Sequence, residues 1–446
     1  MKGVCVVRVR CFFTVLVALL FVLSGIVWAQ DTVQDVENFI GKNKVTAQHL
    51  LGARAAAVAM DELSFDRGDE NVLSMTSAGY AIVKGQTTEK CVDGITAVTG
   101  CTTGGGNLLV IHRSKELPLW FAFYKKDTKE MIYLQANDTV IGKSPAEINT
   151  LPVESVFSII AKENIDINSL LGEPEKWNEK ISKKVFGGNE SSLIGIANIW
   201  SHTNTTYDYL QAAKFHNHIC PGVTSGYLII KYLDKYLPLK PGQSYKIIAC
   251  PAWCKDDALQ VILDTTVGKK AMYVMELTEA QKSMLPDEAK GVAGLFIRWD
   301  GKSETGDGLV LGFDFDKAGE LAGTTNLSGP FVKLKTALTM MDYVNHPETM
   351  VSTLKQFKVT SAGELTALQS AGVNPLVKVG LMNDTGAAAA AAPGITVKID
   401  GKVQNFSQPL VIINDRTMVS LRAVAEALGF KVDWDGTSRT VFISTK

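Results

Sequence analysis

Two stretches of this chain run through the same order of elements, and that repetition limits the fold more than any other feature of its 446 residues. The first, at about 36–137, opens on the helical run Ala47 to Leu63 and continues into a cysteine-bearing segment, Lys90 to Cys101. It ends in β-rich runs at Asn107 to Ile111 and Leu119 to Tyr124. In the second, Phe215 to Cys220 leads into a helix from Pro221 to about Tyr236, then a strand Tyr245 to Ala249. Cys254 to Leu263 and apolar runs at Ala271 to Met275 and Ala293 to Trp299 follow. Helix, strand, helix and several more strands within one unit describe an α+β domain, so the fold class read from the pattern is α+β with two related domains.

The remaining segments divide around that repeat. The first 29 residues join a basic start (Lys2, Arg8, Arg10) to an apolar run from Phe12 to Val22 and a small-residue ending at Ala29, the plan of a signal peptide. Its apolar core is about a dozen residues, short of the roughly 20 that cross a bilayer as a helix, so the expectation is an exported, extracytoplasmic protein with no membrane span after cleavage. The first domain is expected at 30–140, a polar helical connection at 141–195, and the second domain at 196–380, including a helical stretch from Phe331 to Leu376. The run Ala387 to Ala392, within 381–394, lacks hydrophobic periodicity and reads as a linker. A small α+β domain at 395–446 follows, with a strand and turn at Val397 to Val403 and a helix from Leu421 to Leu428 stopped by Gly429. A net charge of −1 without a basic tract argues against a nucleic-acid partner.

Chemistry concentrates in the second repeat. His216, His218 and Cys220 are two apart, and in an extended segment their side chains would point to one face. Imidazole plus thiolate is the donor set of zinc, nickel, iron and copper rather than of magnesium or calcium. Cys254, at the start of the next helix, is the expected fourth ligand, with Cys250 a weaker candidate. Pro221 suits the first position of a helix, which makes Cys220 its N-cap and lowers the thiol pKa there. That suits a metal ligand, a nucleophile or a redox thiol equally well. Gly222 and Gly226 would admit a close neighbour to the same helix. Five cysteines follow the leader, an odd number, so at least one is free or metal-bound, while Cys250 and Cys254 could instead form a disulfide. His49, His112 and His346 stand alone and read as core or surface histidines, and His202 is an intermediate case. Thr102 to Gly106 lacks the Lys-Ser/Thr ending of a phosphate loop and reads as a turn. Asp300-Gly301 and Asp307-Gly308 read as hairpin turns, and Asp314 and Asp316 as the solvated face of a strand.

Phe215-His216-Asn217-His218-Ile219-Cys220-Pro221-Gly222, followed by Gly226-Tyr227, resembles the signature of the FmdE family, named for a component of formylmethanofuran dehydrogenase: a Phe-His-Gly-His-x-Cys-Pro-Gly run with Gly-Tyr four residues later. Cys254 with Asp257-Ala258-Leu259-Gln260 resembles the family's second block. The resemblance implies a transition metal at His216, His218, Cys220 and Cys254, zinc first and nickel or iron as alternatives, and a link to one-carbon units. Asn217 replaces the family's Gly, and Leu263-Asp264-Thr265 stands where the family has Thr-Gly-Cys. The first repeat keeps Thr99-Gly100-Cys101-Thr102 and Gly106-Asn107-Leu108, but Lys44 to Gln48 carries no ligands and Cys91 sits one residue too close to Asp93. It resembles a degenerate copy, and the two copies are expected to pack as an internal pseudo-dimer with the site in the second.

The last 52 residues resemble the stalk-like domain named after the copper amine oxidase N-terminus, through Asp400-Gly401-Lys402, Arg416-Thr417-Met418-Val419, Ala427-Leu428-Gly429 and Trp434-Asp435. The segment has no His and no Cys, so copper is not expected there, and a cell-surface partner is the expected use. Three functions fit these residues: a protein that captures or presents a metal ion or metal-containing small molecule, a metal-dependent enzyme, and a thiol-redox or surface module. Four protein ligands favour the first, and three plus an open position favour catalysis.

Overall fold

The structure is a computed structural model describing residues 32–382, 396–404, 411–413, 416–436 and 438–445, which fall into two compact units divided between Pro375 and Leu376. The expected signal peptide and the Ala-rich run lie outside the described residues. No helix among the described residues is long and apolar enough to cross a membrane.

The first unit is built on two five-stranded sheets. Helix α1 (Ala47–Leu63) precedes β1 (Val72–Thr76), helix α2 (Lys90–Thr99) follows, and then β2 (Leu108–Val110), β3 (Trp120–Lys125), β4 (Glu130–Ala136) and β5 (Phe157–Asn164). Helices α3 (Glu190–Trp200) and α4 (Tyr207–His216) lead into the second copy. That copy runs α5 (Pro221–Tyr236), β6 (Gln243–Ala249), α6 (Lys255–Ile262), β7 (Met272–Val274), β8 (Val292–Asp300), β9 (Thr305–Phe313), helices α7 (Phe315–Ala322) and α8 (Val332–Met341), and β10 (Val351–Val359). The sheet orders are β2-β1-β3-β4-β5 and β7-β6-β8-β9-β10, each with one parallel pair at its edge and antiparallel pairs elsewhere. The repeat seen in the sequence is therefore a repeat of topology.

Four expectations change. The connection read as helical contains β5, and the stretch from Phe331 to Leu376 contains β10, so each completes a sheet. Both strands are edge strands whose alternate residues face solvent, and this dilutes their apolar pattern below that of the central strands. Asp307-Gly308 lies inside β9, and only Asp300-Gly301 begins a hairpin turn. Asp314 is the N-cap of α7, its carboxylate accepting from the Lys317 N–H at 2.8 Å, and Asp316 lies within that helix.

Period-two alternation in the first sheet feeds two cores. Leu73, Met75, Trp120, Ala122, Tyr124, Met131 and Tyr133 point into a core shared with α3, α4, α5, α8 and the second sheet, whose Ile247, Phe296 and Leu311 join it. Val72, Phe121, Phe123, Ile132 and Leu134 point the other way, against α1 and α2. Because both sheets bury side chains in one core, the two copies fold as a single pseudo-dimeric body.

Glycine sets the distance between paired helices in both copies. A Cβ on Gly52 of α1 would stand 2.0 Å from the Cys91 carbonyl oxygen, and one on Gly226 of α5 would stand 2.6 Å from that of Lys255. These matching approaches align Cys91 with Lys255, so Lys90 stands where the second copy has Cys254. The N-cap Thr46 likewise stands where the second has Cys220. Cys91, fully buried, thus occupies the place of Lys255 and not that of Cys254, which explains its offset spacing from Asp93.

In the second unit, hairpins β11 (Lys398–Ile399) with β12 (Lys402–Val403) and β13 (Val411–Ile413) with β14 (Arg416–Met418) precede helix α9 (Leu421–Ala427). Strands β15 (Phe430–Asp435) and β16 (Thr440–Thr445) pair antiparallel after it. Gly429 leaves the helix at φ 89°, the left-handed geometry that favours glycine.

Gly226→Ala should lower stability by about 1–3 kcal/mol, because backbone rather than a flexible side chain occupies the space its Cβ needs. Thermal unfolding of the metal-free protein measures this, and an unchanged midpoint would refute the close approach of α5 and α6.

Candidate metal centre

Three helix ends converge here. His216 is the last residue of α4, Cys220 is the N-cap of α5 and Cys254 the N-cap of α6. One ligand atom from each of these residues lies within 4.8 Å of the others. The segment from His216 to Cys220 is not extended, contrary to the alternation argument. Asn217 turns the chain at φ 59°, and Cys220 resumes an extended backbone before Pro221 starts α5. A left-handed turn favours Gly and next Asn, which accounts for Asn217 at the position where Gly is usual. His218 therefore does not project beside Cys220. Its ring packs on that of His216 with centroids 4.2 Å apart, outside the group of three.

Each ligand is held from behind. Asp257, one helical turn after Cys254 on α6, meets His216 Nδ1 with its Oδ2 at 2.6 Å, while His216 Nε2 faces Cys220 Sγ at 3.8 Å. The Thr224 N–H and hydroxyl both donate to the Cys220 carbonyl, and Tyr209 of α4 bonds Thr224 at 2.7 Å. Ser192 of α3 donates to the Asn217 carbonyl, and α3 passes close to Ile219 because residue 195 is glycine. Lys255 is fully buried and clamps the Cys254 loop. Its ammonium reaches Pro251 O at 2.8 Å and Asp256 Oδ1 at 2.9 Å, and lies 3.8 Å from the centre of the Trp253 ring. Burial disfavours both charges of the Lys255–Asp256 pair, so the carbonyl and the aromatic face share in holding the ammonium. Trp253 in turn donates to Ser225 Oγ on α5 at 2.9 Å. Nothing in the spacing of Trp253, Lys255 and Ser225 marked them, since their partners are close only in three dimensions.

The electrostatics favour one thiolate. Hydrogen bonding from Cys254 lowers Cys220 to about 7 against the opposing effect of burial, and the N–H groups of Val223 and Gly222 at the start of α5 assist. Cys254 is pushed up to about 12, chiefly because its thiol donates to Cys220. His216 rises to about 9; burial opposes its protonation, but the Asp257 carboxylate and the Cys254 sulfur outweigh burial. His218 falls through burial and the neighbouring His216 charge. All five described cysteines are free thiols, Cys250 and Cys254 included.

The donor set fits a transition metal on the chemistry of its atoms, two sulfurs and an imidazole nitrogen. The fit is also steric, since a Cβ on Gly222 would lie 3.2 Å from Cys254 Sγ and 3.5 Å from Cys220 Sγ, inside the space both thiols face. The first copy offers no counterpart. His49 is spent as a helix cap, with Nδ1 accepting the Thr46 N–H at 3.0 Å. His202 bonds Asp342 at 3.1 Å, and His346 lies exposed beside Glu348. His112 stacks on Phe215, one residue before His216, at 5.4 Å between ring centres.

In the metal-free protein, alkylation of Cys220 by iodoacetamide should reach half its maximal rate near pH 7. Cys254→Ala should move that midpoint up toward the ordinary thiol range near ~8.5, because it removes the main donor to the thiolate. Peptide-resolved mass spectrometry across pH reads both, and a midpoint near that ordinary value in the unsubstituted protein would contradict the assigned thiolate.

Comparison with known families agrees with this architecture. The family described as FmdE, molybdenum formylmethanofuran dehydrogenase operon, matches residues 45–182 and 215–322, and the copper amine oxidase N-terminal domain matches residues 396–446. No curated protein matches the chain. The two FmdE segments together span more than half of the chain, the first covering the whole of one sheet and the second four of the five strands of the other with the His/Cys cluster, and the chain belongs to the FmdE family.

Proposed function

We propose that this FmdE protein holds one transition metal ion in its second copy through His216, Cys220 and Cys254, with His218 as the adjacent fourth donor. The observation that carries the reading is the convergence of three soft and borderline ligand atoms within 4.8 Å. Zinc is the first candidate, because two thiolates and imidazole suit it, and nickel or iron use the same set. Cys220, Cys254 and His216 Nε2 would hold the ion. Asp257 would fix the His216 ring and tautomer through Nδ1, as carboxylates behind metal-bound histidines do. The ion would supply Lewis acidity toward a ligand at any position the protein leaves open.

The role proposed is capture or presentation of a metal or a metal-containing small molecule outside the cytoplasm, after removal of the leader at 1–29. Attachment to a cell-surface partner falls to the C-terminal unit, whose lack of His and Cys keeps it out of the metal chemistry. A second reading, metal-dependent catalysis on one-carbon units, is favoured by one geometric fact. Three donors converge and His218 stands outside the group, and with His218 off the ion the fourth position would fall to an exogenous ligand.

Elemental mass spectrometry of the untagged protein should find about one equivalent of a transition metal, lost when Cys220 and Cys254 are both changed to Ala. No metal in either protein would leave a thiol-redox or scaffold role. Asp257→Asn should retain the site and weaken metal affinity by about 10–100-fold, measured by competition with a chromophoric chelator. Unchanged affinity would show that Asp257 does not orient His216.

A further inference from the structure

Near the segment that leads into the His/Cys centre stands an arginine that, among the described residues, forms no ion pair. Arg113 follows β2 in the first copy, and its neighbour His112 is tied to the residues leading into the site. The His112 N–H donates to Lys214 O at 3.0 Å, its Nδ1 lies 3.3 Å from Phe215 O, and its ring stacks on that of Phe215. Arg113 donates from Nη2 to Asn189 Oδ1 at 2.8 Å, at the N-cap of α3, one turn before the Ser192 hydroxyl that holds the Asn217 carbonyl.

Among the described residues this guanidinium makes no ion pair, and its Nε is buried with no hydrogen-bond partner. Burial weakens its hold on its proton, although an Arg stays charged under all ordinary conditions. A partly buried charge without a counter-ion destabilises the fold unless something offsets it. The acid at the centre, Asp257, is engaged with His216 at 2.6 Å. What would complete this environment is an anion arriving from solution.

We propose that Arg113, supplied by the first copy, is the anion-recognising residue of the centre in the second, and that the centre's exogenous ligand is a small oxyanion. The inference rests on the metal reading above and deepens it. It also gives the degenerate copy a function, since a copy without ligands still supplies the charged wall of the site. Two N–H edges of one guanidinium match the paired oxygens of a carboxylate or a tetrahedral oxyanion.

The test uses the full chain loaded with cobalt(II), whose visible bands respond to an added ligand, titrated with acetate, sulfate and the uncharged acetamide. Acetate or sulfate should perturb the bands saturably, acetamide should not, and Arg113→Gln should weaken the effective anion at least tenfold, with Arg113→Lys intermediate. Equal affinity in Arg113→Gln, an equal response to acetamide, or no response to either anion in a protein that holds cobalt overturns the anion site and leaves the metal site standing. Loss of cobalt from Arg113→Gln assigns Arg113 a structural role and likewise overturns it. A parent protein that takes up no cobalt refutes the metal reading, and this proposal with it.

Discussion

The contact on which the site depends is the crossing of α5 and α6 at Gly226. The Lys255 backbone occupies the place a side chain would take, so the two helices meet at backbone distance. Their N-termini then converge, and with them the N-cap residues Cys220 and Cys254. A larger residue would separate the two sulfurs by moving whole helices, because a packed interior cannot absorb such a shift locally. The thiolate at Cys220 follows from the same crossing, which supplies both the donating Cys254 thiol and the helix N–H groups.

The first copy uses the same crossing without the chemistry. Gly52 and Gly94 bring α1 and α2 together at backbone distance, as Gly226 does α5 and α6 in the second copy. At the two N-terminal positions, however, Thr46 and Lys90 replace the cysteines, and His49 caps the helix. Its sheet then buries one face in a core common to both copies. A duplicated domain that packs on its twin is freed from carrying a second site and still shapes the first, here through the segment at His112 and Arg113 that touches the end of α4.

Much of this was legible along the chain. Helices and central strands showed through periodicity, and the two copies through their common order. Edge strands β5 and β10 did not, because half of each faces water and their residues read as a polar connection. The His-x-His-x-Cys spacing pointed to the right loop through the wrong local geometry. Alternation would hold only in an extended segment, and a left-handed residue at Asn217 breaks it.

Residue types and their spacing by themselves determined where candidate ligands gather: soft and borderline side chains around two helix starts, in one of two related domains. Those features are local, set by backbone preferences over a few neighbouring residues. Only the tertiary structure decided which donors meet, that His218 stacks beside the group of three, and that Asp257 backs His216. It also brought His112, about a hundred residues upstream, onto Lys214 and Phe215 at the end of α4, and its neighbour Arg113 onto Asn189. Contacts of that range follow from the packing of two sheets around one core, and no spacing along the chain encodes them.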